Sequence, residues 1–105
     1  MSNRTILLMG RLPDIVENVS RALDDMPVAF VGATSADEVK QKLEMHPEIA
    51  LAVMGAGLDD ATRGELIEII AAARPDVTIH LKDRDSGPGG MSPFVRRVTT
   101  AMLDL

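Results

Sequence analysis

Four short apolar runs alternate with four longer segments of helical spacing, and this rhythm constrains the fold more than any single residue. The runs are Thr5 to Met9 (TILLM), Val28 to Val31 (VAFV), Ile49 to Met54 (IALAVM) and Val77 to Leu81 (VTIHL). The first is apolar on both faces, as strands of parallel sheets are. Between the first two, Leu12 to Met26 places Ile15, Val16, Val19, Leu23 and Met26 on one helical stripe, with Pro13 in the first turn, where a missing N–H costs little. Gly32 is expected to end the second strand. Ser35-Ala36-Asp37-Glu38 is a capping-box pattern that opens a second helix with Val39, Leu43 and Met45 on its apolar face, ended by His46-Pro47. Thr62 with Glu65 offers a cap for a third helix carrying Leu66, Ile67, Ile69, Ile70 and Ala73, which Pro75 stops. Gly87-Pro88-Gly89-Gly90 lies in a nine-residue loop from Asp83 to Met91, after which Ser92 as N-cap and Pro93 as first helical residue open a last helix. Phe94, Val98 and Met102 form its stripe, with Val95 and Leu105 adding to it.

The order βαβαβαβα implies parallel strands joined by right-handed crossovers. The expected fold class is therefore α/β: a three-layer sandwich around a four-stranded parallel sheet. At 105 residues, with no internal repeat or linker, residues 1–105 form a single domain. Apolar residues make up 46% of the chain, enough for a core, but aromatics only 2%, so the core is built of Leu, Ile, Val, Ala and Met. The scarcity of aromatics argues against stacking platforms for sugars or single-stranded nucleic acid, and the net charge of −5 also disfavours a nucleic-acid partner. The absence of cysteine excludes disulfides, thiolate zinc sites and cysteine nucleophiles. No apolar run approaches ~20 residues, and Met1-Ser2-Asn3-Arg4 leads directly into a strand, so a cytoplasmic protein with no membrane role is expected.

In open α/β sheets, ligands bind at the carboxyl ends of the strands. Here the first strand runs into Gly10-Arg11, the third into Gly55-Ala56-Gly57 and the fourth into Lys82-Asp83-Arg84. Gly10, Arg11, Gly55, Gly57 and Lys82, with Arg84 nearby, are candidates for an anion or phosphate site, since exposed backbone N–H groups and helix N-termini attract negative charge. The plainer account is that the glycines permit tight turns and the charges are solvated. It carries more weight, because Asp59 and Asp60 follow at once and no complete phosphate-loop pattern is present. Asp14, Asp59 and Asp60 suit helix starts better than a carboxylate pair for metal or acid/base work. Two histidines, His46 at a helix end and His80 on the fourth strand, and no cysteine give no metal site. Met9, Met26, Met45 and Met102 fall on expected core positions, whereas Met91, in the loop, is expected at a contact. Arg96-Arg97 reads as a solvated helix face.

At this point the chain resembles the receiver domain of bacterial response regulators, a flavodoxin-like fold. The matching pieces are ILLM, the helix after it, GATSADEVKQKL from Gly32 to Leu43, and PEIALAVMGAGLDDATRGELIEIIAAARPDVTIHL; Ser92-Pro93-Phe94 looks like the family's Lys-Pro-Phe. The resemblance covers most of the chain and rests on apolar pattern and turn placement. It implies a strand order of 2-1-3-4, one βα unit short of the family. The family's functional residues do not carry over: Gly10 and Arg11 stand where an acidic pair would hold Mg²⁺, Val53 where the phosphoacceptor Asp would be, and Lys82 near the position of a Thr or Ser.

The resemblance thus implies a shortened receiver-like domain that cannot be phosphorylated, works by protein–protein contact, and has no catalytic residues, no metal and no cofactor. The fourth strand would be a sheet edge, and edges pair with other chains. Val77, Ile79, His80, Met91, Phe94 and Arg97 are accordingly interface candidates, for a protein partner or for a homodimer. The alternative is a small module that holds an anion or a nucleotide phosphate at the strand ends.

Overall fold

The structure, a computed structural model, describes residues 4–105. The expectation drawn from Met1 to Asn3 lies outside the described residues. Strands β1 (Thr5–Met9), β2 (Ala29–Ala33), β3 (Ile49–Met54) and β4 (Thr78–Leu81) form one sheet in the order β2-β1-β3-β4, with every pairing parallel. Helices α1 (Ile15–Ala22), α2 (Ala36–Met45), α3 (Asp60–Ala73) and α4 (Met91–Leu103) connect and cover them, and a 3₁₀ turn at Pro88–Gly90 leads into α4. This is the flavodoxin-like three-layer arrangement.

Strand alternation divides the core into two halves. Leu7, Met9, Ala52 and Met54 face α2 and α3, where they meet Val39, Leu43, Leu66 and Ile70. Ile6, Leu8, Leu51 and Val53 face the other way, onto Val19 of α1, onto Leu23 just past its end, and onto Met91 and Val95 from α4. The last helix therefore shares a sheet face with α1. Arg96 fastens the two helices, donating to both carboxylate oxygens of Asp25 at 2.9 Å and to the Ala22 carbonyl at 3.3 Å. Half of the arginine pair is thus an interhelical clamp rather than a solvated face.

Several element boundaries differ from those the residues suggest. Gly32 does not end β2; it pairs with Leu8 inside the strand. A Cβ there would overlap the Cγ2 of Val16, so glycine marks the close approach of α1 to the sheet. Helix α1 is shorter than Leu12 to Met26, because Leu12 and Pro13 sit in a turn before its N-cap, Asp14. The cap of α3 is Asp59, whose carboxylate accepts the Thr62 N–H at 2.8 Å, so Thr62 lies within the helix. Helix α4 starts at Met91 with Gly90 as N-cap; Ser92 is already helical, and Pro93 occupies the first turn, where the N–H that proline lacks would have no helical partner. Met45 and Met102 were expected in the core, but they are 59% and 45% exposed, and Leu105 is 48% exposed. In α4 the buried line is Met91, Val95 and Thr99. Among the described residues, no helix is long and apolar enough to cross a membrane.

Candidate functional site

The sheet ladder continues one residue past three strands. Gly10 N–H donates to Ala33 O at 3.3 Å, Gly55 N–H to Met9 O at 2.7 Å, and Lys82 N–H to Met54 O at 2.9 Å. These bonds set Gly10, Gly55 and Lys82 side by side as the floor of a cleft of about 570 Å³. One wall is the start of α1: Leu12, Asp14, Ile15, Asn18 and Val19. Ala56 and Gly57 form the rim, and Arg84, Gly87, Met91 and Ser92 form the far wall. Gly10 is required by packing, since a Cβ there would lie 3.0 Å from Ile15 Cδ1.

Three cations hold this end of the molecule together, and each does so mainly through neutral oxygens. Arg63 reaches out of α3 and is only 8% exposed. Its guanidinium donates to Gly55 O at 3.1 Å and to Lys82 O at 2.8 Å, which ties the ends of β3 and β4. Burial, and secondarily the charge of Arg84, holds that guanidinium below the usual arginine range, and its Nε has no partner among the described residues. Arg84 donates to Leu58 O at 2.9 Å and pairs with Asp60 at 3.0 Å, fixing the loop between β3 and α3 from the outside.

Lys82 is 2% exposed. Its Nζ donates to Asp83 O and to Ser86 Oγ, both at 2.8 Å. Ser86 is itself held by Asp83, through its N–H at 2.8 Å and its hydroxyl at 3.0 Å. The Ser86 N–H and then its hydroxyl keep the Asp83 carboxyl below the usual range. Among the described residues, no carboxylate oxygen comes within 4.0 Å of a charged nitrogen of Lys82 or Arg11. The cleft lining carries Arg11, Lys82 and Arg84 against the single carboxylate of Asp14, on a chain whose net charge is −5. Helices α1 and α4 both start at this cleft without a side-chain cap, whereas α2 and α3 are capped by Ser35 and Asp59.

The five residues expected at an anion site, Gly10, Arg11, Gly55, Gly57 and Lys82, all line this one cleft. Val53 is fully buried in the core on the α1 and α4 side. No group of three or more His, Asp or Glu side chains that could hold a metal ion is found among the described residues. The interface candidates scatter. Val77 and Met91 are buried in the core at 7% and 8% exposure, so Met91 is a helix-start and cleft-wall residue rather than a loop contact. Phe94 is half-buried beside α1, Arg97 is exposed, and Ile79 and His80 are half-buried on β4. His80 Nε2 lies 3.0 Å from Thr78 Oγ1, and burial pushes its imidazole below the usual value. Asp14 and Asp60 stand at helix starts, as their positions suggest. His46 caps α2 and lies 3.1 Å from Glu48, at the opposite end of the sheet.

Arg63, Ser86 and the aliphatic wall of Leu12, Ile15 and Val19 were not anticipated as parts of the site. The signal for Arg63 was present: 63, 66 and 70 share one helical face, so a charge stood in phase with the buried stripe of α3. No protein-family model, no curated protein and no solved structure matches this chain.

Proposed function

We propose that this protein is a small binding domain that holds an anionic group, phosphate by its charge and hydrogen-bonding capacity, in the cleft at the carboxyl ends of its strands. The observation that carries this reading is Lys82, a buried cation at the cleft floor whose nitrogen contacts only neutral oxygens. An ammonium has three donors, so one N–H of Lys82 remains for a ligand. Arg11 adds a second cation without a carboxylate partner among the described residues. A positive cleft on an acidic surface also concentrates anions locally. A thermal-shift panel of inorganic phosphate and phosphorylated metabolites at constant ionic strength tests the reading. Phosphate is expected to raise Tm, and Arg11→Ala to reduce that rise. A panel with no shift, or a shift indifferent to Arg11→Ala, overturns it.

A second reading rests on β4. It is one of the two edges of the sheet, its four residues carry no carboxylate, Lys or Arg, and Leu81 is 43% exposed. Because Lys82 N–H points to β3, strand alternation turns the backbone groups of Ile79 and Leu81 outward. A second copy pairing through this edge would make the protein a receiver-like interaction module that works without phosphorylation. Ile79→Pro removes an outward donor and is expected to abolish association in light scattering at high protein concentration. A monomeric wild type under those conditions rejects the edge. A stable, acid-labile adduct formed with a small phosphodonor and Mg²⁺ rejects the phosphorylation-independent part.

A further inference from the structure

Resting on the anion-binding reading of the cleft, we infer that the ligand is a phosphate monoester with a short aliphatic body, and not a nucleotide. The first reason is room. At the volume a water takes in the liquid, 570 Å³ corresponds to about nineteen waters, far more than a lone phosphate displaces. The second is an aliphatic wall on the α1 side of the cleft. Leu12, in the turn before α1, is 57% exposed and Ile15, in its first turn, is half-buried, while Val19 and Met91, at 1% and 8% exposure, back them from the core. Leu12 and Ile15 are aliphatic and form no hydrogen bonds, so they stabilise a bound body only by removing carbon from water.

The third reason is what this wall lacks. Neither phenylalanine lines the cleft: Phe30 and Phe94 both pack into the core on the α1 and α4 side. With no Trp or Tyr in the chain, a base has no aromatic face to stack on. The charge count supplies the fourth reason. Arg11 and Lys82 are the lining cations without carboxylate partners among the described residues, and two such charges match a phosphate dianion better than a carboxylate. Asp14 lies on the α1 side and repels negative charge, so the phosphate is directed to the Lys82 end and the body to the wall formed by Leu12 and Ile15.

The test is a binding series read by NMR on the full chain: inorganic phosphate, then methyl, propyl and butyl phosphate, and AMP. All of them are expected to shift the Gly55 and Lys82 amides, and only the longer alkyl phosphates the Ile15 and Leu12 methyls. Affinity is expected to rise about three- to fourfold per added methylene, as for carbon removed from water. AMP is expected to bind no more tightly than methyl phosphate. Leu12→Ser, at an exposed position, is expected to narrow the gap between butyl phosphate and phosphate. If phosphate itself moves no cleft resonance, the anion-binding reading fails and this inference with it. If phosphate binds but butyl phosphate gains nothing, or AMP binds more tightly than butyl phosphate, the site stands and the aliphatic assignment is overturned.

Discussion

Replacing Lys82 by methionine separates what the residue does for the fold from what it does for a ligand. In the ligand-free protein its nitrogen makes two 2.8 Å bonds, to Asp83 O and Ser86 Oγ. A hydrogen bond from a charged donor contributes about 1.5–3 kcal/mol, and taking an ammonium out of water costs several kcal/mol even with the Asp83 carboxylate acting on it through space, so the two effects offset. Methionine keeps most of the buried chain, and Ser86 keeps Asp83 as a partner. The ligand-free variant should therefore melt within about 1 kcal/mol of wild type, which is about 4–8 °C for a domain of this size. Phosphate binding should respond far more. Losing one ammonium–phosphate bond, at about 1.5–3 kcal/mol, weakens binding about ten- to 150-fold. At a phosphate concentration one hundred times the wild-type Kd, wild type gains about 2.7 kcal/mol of stability and the variant only about 0.3–1.4 kcal/mol. The assay is circular-dichroism melting in phosphate, with chloride matched for ionic strength. An equal phosphate gain in both proteins refutes the role of Lys82. A ligand-free variant that fails to fold refutes the offset.

Three further perturbations probe the framework of the site. Gly32→Ala drives a methyl into Val16 Cγ2 between β2 and α1, and overpacking of this kind should cost about 1–3 kcal/mol in urea unfolding. Arg63→Met removes both bonds that tie Gly55 O to Lys82 O and leaves those carbonyls unpaired. It should cost about 2 kcal/mol by the same assay and shift the amides of Gly55 to Leu58. The His80 imidazole is held below its usual value by burial, so the folded state binds fewer protons than the unfolded chain just below pH 6.5. Stability should therefore be fully present above that pH and fall as pH drops through 6.5, and His80→Asn should remove this part of a Tm-against-pH profile.

The sheet was legible because its signal is collective. Runs of four to six mostly apolar residues between breakers specify a buried strand whatever their identities, and the order of elements then leaves few topologies. Boundaries were less legible, because a residue's chemistry is compatible with two roles. Gly32 ends strands in one context and in this one admits Val16; Ser92 is a good cap, yet Gly90 takes that position because the preceding turn at Pro88–Gly90 already has helical geometry. The five glycine and cation positions of the cleft were readable because they follow strand ends, and strand ends converge in a parallel sheet. The aliphatic wall was not readable from the same rule. Ile15 looks like an ordinary core position in the sequence, and only the turn at Leu12 to Asp14, which opens α1 late, leaves it half-buried at the cleft, while Val19 is the core position it looks like. Arg63 stood in phase with the buried Leu66 and Ile70, which marked it as buried, but its carbonyl partners are announced by no side-chain pattern.

The position of α4 explains why cations and aliphatic surface meet at one end of this sheet. With four strands, the chain leaves β4 at Leu81 and enters α4 at Met91, so one short segment must carry it from the sheet edge to the face that α1 covers. That segment passes over the strand ends and brings Gly87, Met91 and Ser92 to the cleft, with Lys82 beneath it held to Ser86. Another strand and helix inserted here would separate Lys82 from Met91 in sequence and remove the need for the crossing. The direct passage from β4 to α4 is therefore a cause of the cleft's composition. It also makes the site modular: the core strands β1 and β3 have neighbours on both edges, β2 and β3 for the first and β1 and β4 for the second. Changes confined to Asp83–Gly90 should alter ligand preference while leaving the sheet register intact, which amide exchange in Ile6 to Met9 and Leu51 to Met54 would report directly.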